Sequence, residues 1–250
     1  RSRLIIYDPA EGLLLPESVK RSHRPITKAE RRHILAVAQT HPAGLWVLTI
    51  LYTGLRPGET AALFWEDIDF DRNEIHVYKA VESGTRTIKA PKTPAGIRDI
   101  PMRQELRERL LAVRGEGAAP VFPSANGGIR SANSLRRLWN SFAHALDLHM
   151  GAKVRDGQIL QHAIAPDLTP YCLRHTFCTD LQRAGVPINV AKELMGHANI
   201  SVTANIPITA GVKGIPCSKP VIPKEYRTAP STGAMPIMQQ AKPIKAAANP

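Results

Sequence analysis

Between Pro42 and Gly54 the chain carries an almost wholly apolar run, Leu45 to Tyr52 (LWVLTILY). A segment without a polar face must be surrounded, so the elements on either side have to be built around it. Its length suits a strand, but Pro42 before it, Gly54 after it and the helical start that follows favour a buried helix. Upstream, Thr27 with Glu30 three residues later makes a capping box. Ile34, Leu35 and Ala38 then give the apolar face of a helix over about 28–39. Downstream, Pro57 and Glu59 open a short helix running to about Trp65.

The period then changes. DIDFDRNEIHVYKA alternates polar and apolar residues around Asp71–Arg72–Asn73 and predicts two strands. TRTIKAPKTPAGIRDIPM adds a third strand or a hairpin with its turn at Thr93–Gly96. Helical spacing returns from Arg103 (Leu106, Leu110, Leu111) and again over about 131–147. Two more helices start at Pro170 and Pro187 and stop at Gly185 and Gly196. The fold class is therefore mainly α with a small antiparallel β-sheet (α+β). Trp46, Trp65 and Trp139 sit among apolar neighbours and read as core.

The ends have a different texture. Residues 1–25 hold Pro9, Pro16 and Pro25 without periodicity and read as a linker. Residues 207–250 carry eight of the chain's 21 prolines, six Lys and Arg, and one acid, Glu225. No helical or strand period runs through them, and the composition predicts disorder. The expected organisation is a linker over 1–25, a domain over 26–206 and an atypical tail over 207–250.

Over 250 residues, 33 Lys and Arg against 21 Asp and Glu leave a formal charge of +12. Of this the tail supplies six minus one, or +5, leaving +7 on the first 206 residues. A basic excess points to nucleic acid first and an anionic membrane surface second. No apolar run reaches 18 residues, and no segment pairs a basic face with a bulky apolar one, which disfavours the membrane. Cys172, Cys178 and Cys217 are too few for a disulfide framework, and no secretory signal pattern is present, so a cytoplasmic protein is expected. Cys172, His175 and Cys178 share one predicted helix but have no evident fourth ligand, so no zinc site is expected.

Four cationic residues sit in unusual places. Arg56 stands in TGLRPGE after the apolar run, Lys92 in PKTPAG, Arg174 in YCLRHTF between core-facing Leu173 and Phe177, and His197 in MGHAN at a helix end. Each has a plain structural role open to it: Arg56 could pair with Glu59, His197 could cap a helix, and Lys92 could simply be solvated. Together they supply two planar forks, a point charge and a titratable ring, a set suited to holding a phosphodiester and stabilising charge on its oxygens. No carboxylate cluster or Cys/His spacing suits a divalent metal, and no cofactor is expected.

The segments LYTGLRPGETAALFWEDIDF, PKTPAGIRDIPM and TPYCLRHTFCTDLQRAGVPINVAKELMGHANISVTANI resemble, in order, the motif blocks of the tyrosine recombinase (phage and transposon integrase) catalytic domain. The resemblance spans roughly residues 25–206. It implies that family's fold, an upstream core-binding domain, double-stranded DNA as partner, and assembly as a homo-tetramer on DNA from a monomer or dimer in isolation. It implies a bacterial, nucleoid-associated setting and the integration or excision of a mobile element. Arg56 and Arg174 match the two arginines, Lys92 the β-hairpin lysine and His197 the histidine of the L-G-H motif. The implied route is attack by a tyrosine hydroxyl on the scissile phosphate, giving a 3′-phosphotyrosyl link while Lys92 protonates the leaving 5′-oxygen.

Two positions depart from the pattern. Tyr171 stands at the first histidine of H-x-x-R; a phenol still donates a hydrogen bond, although it is not a ready proton carrier at neutral pH. The nucleophile is expected nine or ten residues after His197, where Ile206 and Pro207 stand, and neither carries a hydroxyl. Tyr226, the one later tyrosine, sits in the tail without a rigid setting. DNA binding without cleavage is the consequence, and a non-catalytic DNA-binding remnant or regulator of the same fold is the alternative. Arg31, Arg32, Arg86, Lys89, Arg136 and Arg137 are further candidates for a DNA-facing surface. Leu135, Leu138 and Phe142 face inward, which turns at least one of the last two arginines outward.

Overall fold

The structure, a computed structural model, describes residues 23–204 apart from Ser83, Thr85 and Lys92. The proposed tail and residues 1–22 of the proposed linker lie outside the described residues.

The first helix, α1 (Lys28–Val37), begins as its sequence requires. Thr27 Oγ1 accepts from the Glu30 amide at 3.2 Å, and Glu30 accepts from the Thr27 amide at 2.7 Å. The apolar run becomes α2 (Gly44–Thr53), buried from Trp46 onward and ended by Gly54 at φ 65°. It is the axle of the domain, packing against α6 (Pro170–Arg183), α4 (Gln104–Ala112) and α3 (Pro57–Ala61). Trp46 Nε1 donates to Thr60 Oγ1 at 2.8 Å, which pins α3 to α2 and satisfies the buried indole.

Helix α3 stops at Ala61, short of the expected Trp65. The chain straightens because its backbone finds partners across the fold: Leu63 O accepts from Val121 N, and Trp65 N donates to Ala119 O. A single 3-10 turn at Trp65–Asp67 follows. Strands β1 (Ile68–Asp69) and β2 (Glu74–Val77) then flank the expected turn, with Asn73 at φ 63°. The third strand is β5 (Arg98–Pro101), giving the order β1-β2-β5 with Ile75 opposite Ile100 and Val77 opposite Arg98.

A hairpin centred on Thr93–Gly96 does not form. That segment is a 3-10 turn, and the strand before it, β4 (Ile88–Lys89), pairs with β3 (Ala80–Val81) in a separate ribbon. The flanking strands thus find different partners, because β5 satisfies its backbone on β2.

Helix α5 (Ala132–Met150) buries Leu135, Trp139, Phe142 and Leu146 and packs against α1. Its Asp147 is buried and accepts from the Ala163 and Ile164 amides and from His162 Nδ1, which moors a hairpin of β6 (Lys153–Arg155) and β7 (Gln158–Gln161). The chain closes with α6, α7 (Ile188–Met195) and α8 (Ile200–Ala204). Trp46, Trp65 and Trp139 are all core residues. His23 and Arg24, placed above in the linker, are tied into the domain: Arg24 bridges Asp167 and Glu30, and Thr176 Oγ1 accepts from the Ile26 amide.

At Gly54 the left-handed backbone and the packing act together. A Cβ there would lie 2.4 Å from Phe177 Cδ1. Gly54→Ala is therefore expected to cost roughly 2–4 kcal/mol, combining a left-handed residue with overpacking. Urea denaturation of the two proteins measures it.

Candidate active site

The end of α7 organises the site. A helix leaves its last carbonyls without partners and carries a partial negative charge there. Gly196, at φ 62°, turns the chain so that these carbonyls face the sheet and α3. Arg98 Nε donates to Leu194 O at 2.9 Å, Arg174 Nη2 donates to Met195 O, and Arg56 Nη2 donates to Gly196 O at 2.9 Å. Three consecutive carbonyls thus take three different guanidinium groups. Arg174 also donates through Nη1 to Gly54 O, so one side chain joins the carbonyl ends of α2 and α7. The space is tight: a Cβ on Gly196 would meet Arg98 Nη1 at 2.8 Å and Ala95 O at 3.1 Å.

One carboxylate serves this group. Glu59, buried at the start of α3, takes Arg98 Nη2 at 2.8 Å and Nη1 at 3.1 Å, and Arg56 Nη1 at 2.7 Å. It also accepts from the Arg56 amide at 2.8 Å. Among the described residues, three guanidiniums against one carboxylate leave a local charge of +2. Burial alone would raise the Glu59 carboxyl, but the Arg98 hydrogen bonds and the charges of Arg98, Arg56 and Arg174 outweigh it and hold it down at about 2. Burial, reinforced by the Arg56 charge, pushes the Arg174 guanidinium down to about 9. A buried charge answered mainly by carbonyl dipoles is one that an incoming anion would stabilise.

Arg98 and Arg174 are buried, whereas 36% of the Arg56 side chain remains exposed. The cluster therefore opens to solvent through Arg56. His197 is buried beside it, with Nδ1 3.0 Å from Thr203 Oγ1 on α8. Burial, followed by the charges of Arg174 and Arg56, lowers its ring to about 3, so it is neutral at physiological pH. When the Thr203 hydroxyl donates to Nδ1, the ring's proton sits on Nε2, which can then donate. Tyr171, one helical turn before Arg174 on α6, is exposed. Lys92 and the positions from Asn205 on, including Ile206, Pro207 and Tyr226, lie outside the described residues.

Of the four cations singled out in the sequence, the structure brings Arg56, Arg174 and His197 together. Arg98 was not singled out, yet it is as central as Arg174. The alternation of RDIPM could have found it, since Arg98 is in phase with the inward Ile100. The outer basic residues divide. Arg86, Arg136 and Arg137 are exposed, as is Arg32. Arg31 pairs with Asp180 at 2.6 Å and Lys89 with Glu82 at 2.7 Å, so both have acidic partners within the fold. Burial pushes the Cys178 thiol up to about 11, which marks it as a packing residue.

The family model described as the phage integrase family matches residues 24–206, most of the chain. The chain belongs to the phage integrase family. This integrase-family chain is 28% identical over 201 residues to a XerC-like tyrosine recombinase of Caldanaerobacter subterraneus subsp. tengcongensis, covering 76% of the chain and 51% of that protein. It is 29% identical over 162 residues to the Tn916 transposase of Enterococcus faecalis, covering 64% of the chain and 40% of that protein. It thus spans about half the length of the curated relatives it matches. Among solved structures, it is similar to the Tn1549 transposon integrase in complex with circular intermediate DNA, with a TM-score of 0.62 and 26% identity over 80% of this chain and 66% of that one. The domain is a tyrosine recombinase catalytic domain. Among the described residues, no helix is long and apolar enough to cross a membrane.

The Glu59 pKa has a consequence for this integrase-family domain. Because the ionised form is favoured by folding, Glu59 contributes stability above the ordinary carboxylate range, and that stability is lost as pH falls from about 4.5 toward about 2. Glu59→Gln is expected to cost roughly 3–5 kcal/mol at neutral pH, since it leaves Arg98 buried without a counter-charge. It should also flatten the acid limb of the stability curve, as followed by urea unfolding between pH 2 and 7.

Proposed function

We propose that this chain is the catalytic domain of a site-specific DNA recombinase of a mobile element, and that the arginine cluster holds the scissile phosphodiester. The observation that carries the reading is the +2 charge gathered at the end of α7, with Arg56 opening it to solvent. A phosphodiester supplies the anionic oxygens that the cluster lacks. Arg56 and Arg174 would grip the non-bridging oxygens, His197 would donate from Nε2, and Tyr171 would donate its hydroxyl. Lys92 is assigned as the acid that protonates the 5′-oxygen when the phosphorus–oxygen bond breaks. Exposed Arg86, Arg136 and Arg137 suit contacts with flanking phosphates, which add affinity without base readout. The partner is double-stranded DNA, with assembly on paired sites as a tetramer.

The nucleophile is the exception. With Ile206 and Pro207 where the tyrosine is expected, the covalent step has no oxygen to begin it. The chain as it stands grips DNA without cutting it, and this favours the second reading, a DNA-binding remnant or regulator of the same fold.

Two measurements test this. Arg56→Ala is expected to weaken binding of a duplex about tenfold and to lower the slope of log K against log salt by about one, read by fluorescence anisotropy. An unchanged salt slope would remove Arg56 from the phosphate contact. On a nicked suicide substrate carrying the element's end sequence, this chain should give no covalent adduct on a denaturing gel. An adduct would show that another residue serves as nucleophile.

A further inference from the structure

A second polar cluster lies at the first turn of α6, one turn from Arg174. Its centre is His23, from the segment that precedes α1. The His23 ring stacks on Tyr171, with centroids 5.1 Å apart and planes 15° from parallel. It also leans toward His175, at 5.8 Å and 39°. Tyr171 and His175 are four residues apart and share one face of α6, so His23 lies over that face.

The placement is held from several sides. His23 Nδ1 lies 3.3 Å from Oγ1 of Thr169, the residue capping α6. The next residue, Arg24, is clamped between Asp167 and Glu30. Thr176 Oγ1 accepts from the Ile26 amide at 2.9 Å. With Nδ1 engaged by Thr169, Nε2 is the remaining polar atom of the ring, and it meets no partner among the described residues. Half-buried His23 thus holds an unpartnered ring nitrogen beside the exposed phenol of Tyr171, three residues before Arg174 on α6.

We infer that His23 is part of the phosphodiester-binding site, donating from Nε2 to a phosphate oxygen next to the hydroxyl of Tyr171. The inference rests on the phosphate reading above. It assigns a binding role to a residue that belongs to none of the motif blocks.

The surroundings determine how the role can be seen. The titratable and charged groups around His23 are Tyr171 and His175 on α6, with Arg174 acting on His175, Asp167 in the preceding loop, Arg24 next to it in the chain and, through Arg24, Glu30 on α1. Arg24 is neutralised by its two carboxylates. Burial, followed by the charges of His23 and Arg174, lowers His175 to about 4, and burial first of all lowers His197 to about 3. Neither of these rings gains a proton in mildly acidic solution. A ring that donates from Nε2 adds one charge-assisted hydrogen bond to a phosphate oxygen, and its loss weakens binding.

The test uses the full chain and a short fluorescent duplex, with anisotropy read at pH 7 in wild type, His23→Phe, His23→Gln and Arg56→Ala. Phenylalanine keeps the stacked ring without nitrogen; glutamine keeps a neutral donor. Wild type should bind about tenfold more tightly than His23→Phe, with His23→Gln between the two. Wild-type affinity in both variants overturns the role of His23 while leaving the arginine site standing. Unchanged affinity and salt slope in Arg56→Ala overturn the phosphate site itself, and the role of His23 with it. Circular dichroism checks that each variant is folded, and His23→Leu serves as the variant without a donor if His23→Phe unfolds.

Discussion

Three arginines gather where α7 ends, and much of the domain can be read as the means of keeping them there. Like charges at this distance repel, and removing them from water is costly. The fold offsets this with the carbonyl ends of two helices and a single carboxylate. Leu194, Met195 and Gly196 each accept from a different guanidinium, and Gly54 at the end of α2 accepts from Arg174 as well. The two left-handed glycines are therefore more than helix stops, since each turns a carbonyl end toward an arginine.

The same arrangement explains the order of the elements. Helix α2 must be buried so that its end can reach Arg174, and α3 must start immediately after it to deliver Arg56 and Glu59. Strand β5 brings Arg98 in from the sheet, and α6 carries Arg174 across the core against α2. Charge remains after Glu59 is counted, and it is carried partly by Arg56, the most exposed of the three. The domain thus holds stored electrostatic cost that a bound anion would relieve. Stability and ligand binding are coupled here, because an anion that binds only the folded state also stabilises it.

Legibility followed the range of the interactions. Capping at Thr27, the strand turn at Asn73 and the glycine stops at Gly54 and Gly196 all depend on residues within a few positions of one another, and each was readable. The end of α3 was misplaced because Leu63 and Trp65 take partners from Val121 and Ala119, more than fifty positions away. The Thr93–Gly96 hairpin failed for the same reason: β5 pairs with β2, and β4 is left to β3. The β6–β7 hairpin had a local signal that went unused, Asp156–Gly157 with both residues at positive φ.

The resemblance to the recombinase motif blocks named Arg56, Lys92, Arg174 and His197, and it put Ile206 and Pro207 where a nucleophile is expected. Those are statements about residue type and order along the chain, and no structure is needed to make them. What only the tertiary structure decided is which charges share a site. Arg98 becomes a partner of Glu59, Arg31 is bound to Asp180, and His23 comes to lie on Tyr171 almost 150 residues later in the chain. A local pattern records the preferences of neighbours along the backbone. The pairing of buried charges is settled by which helix ends and strands meet once the core has closed, and that is written in no single segment.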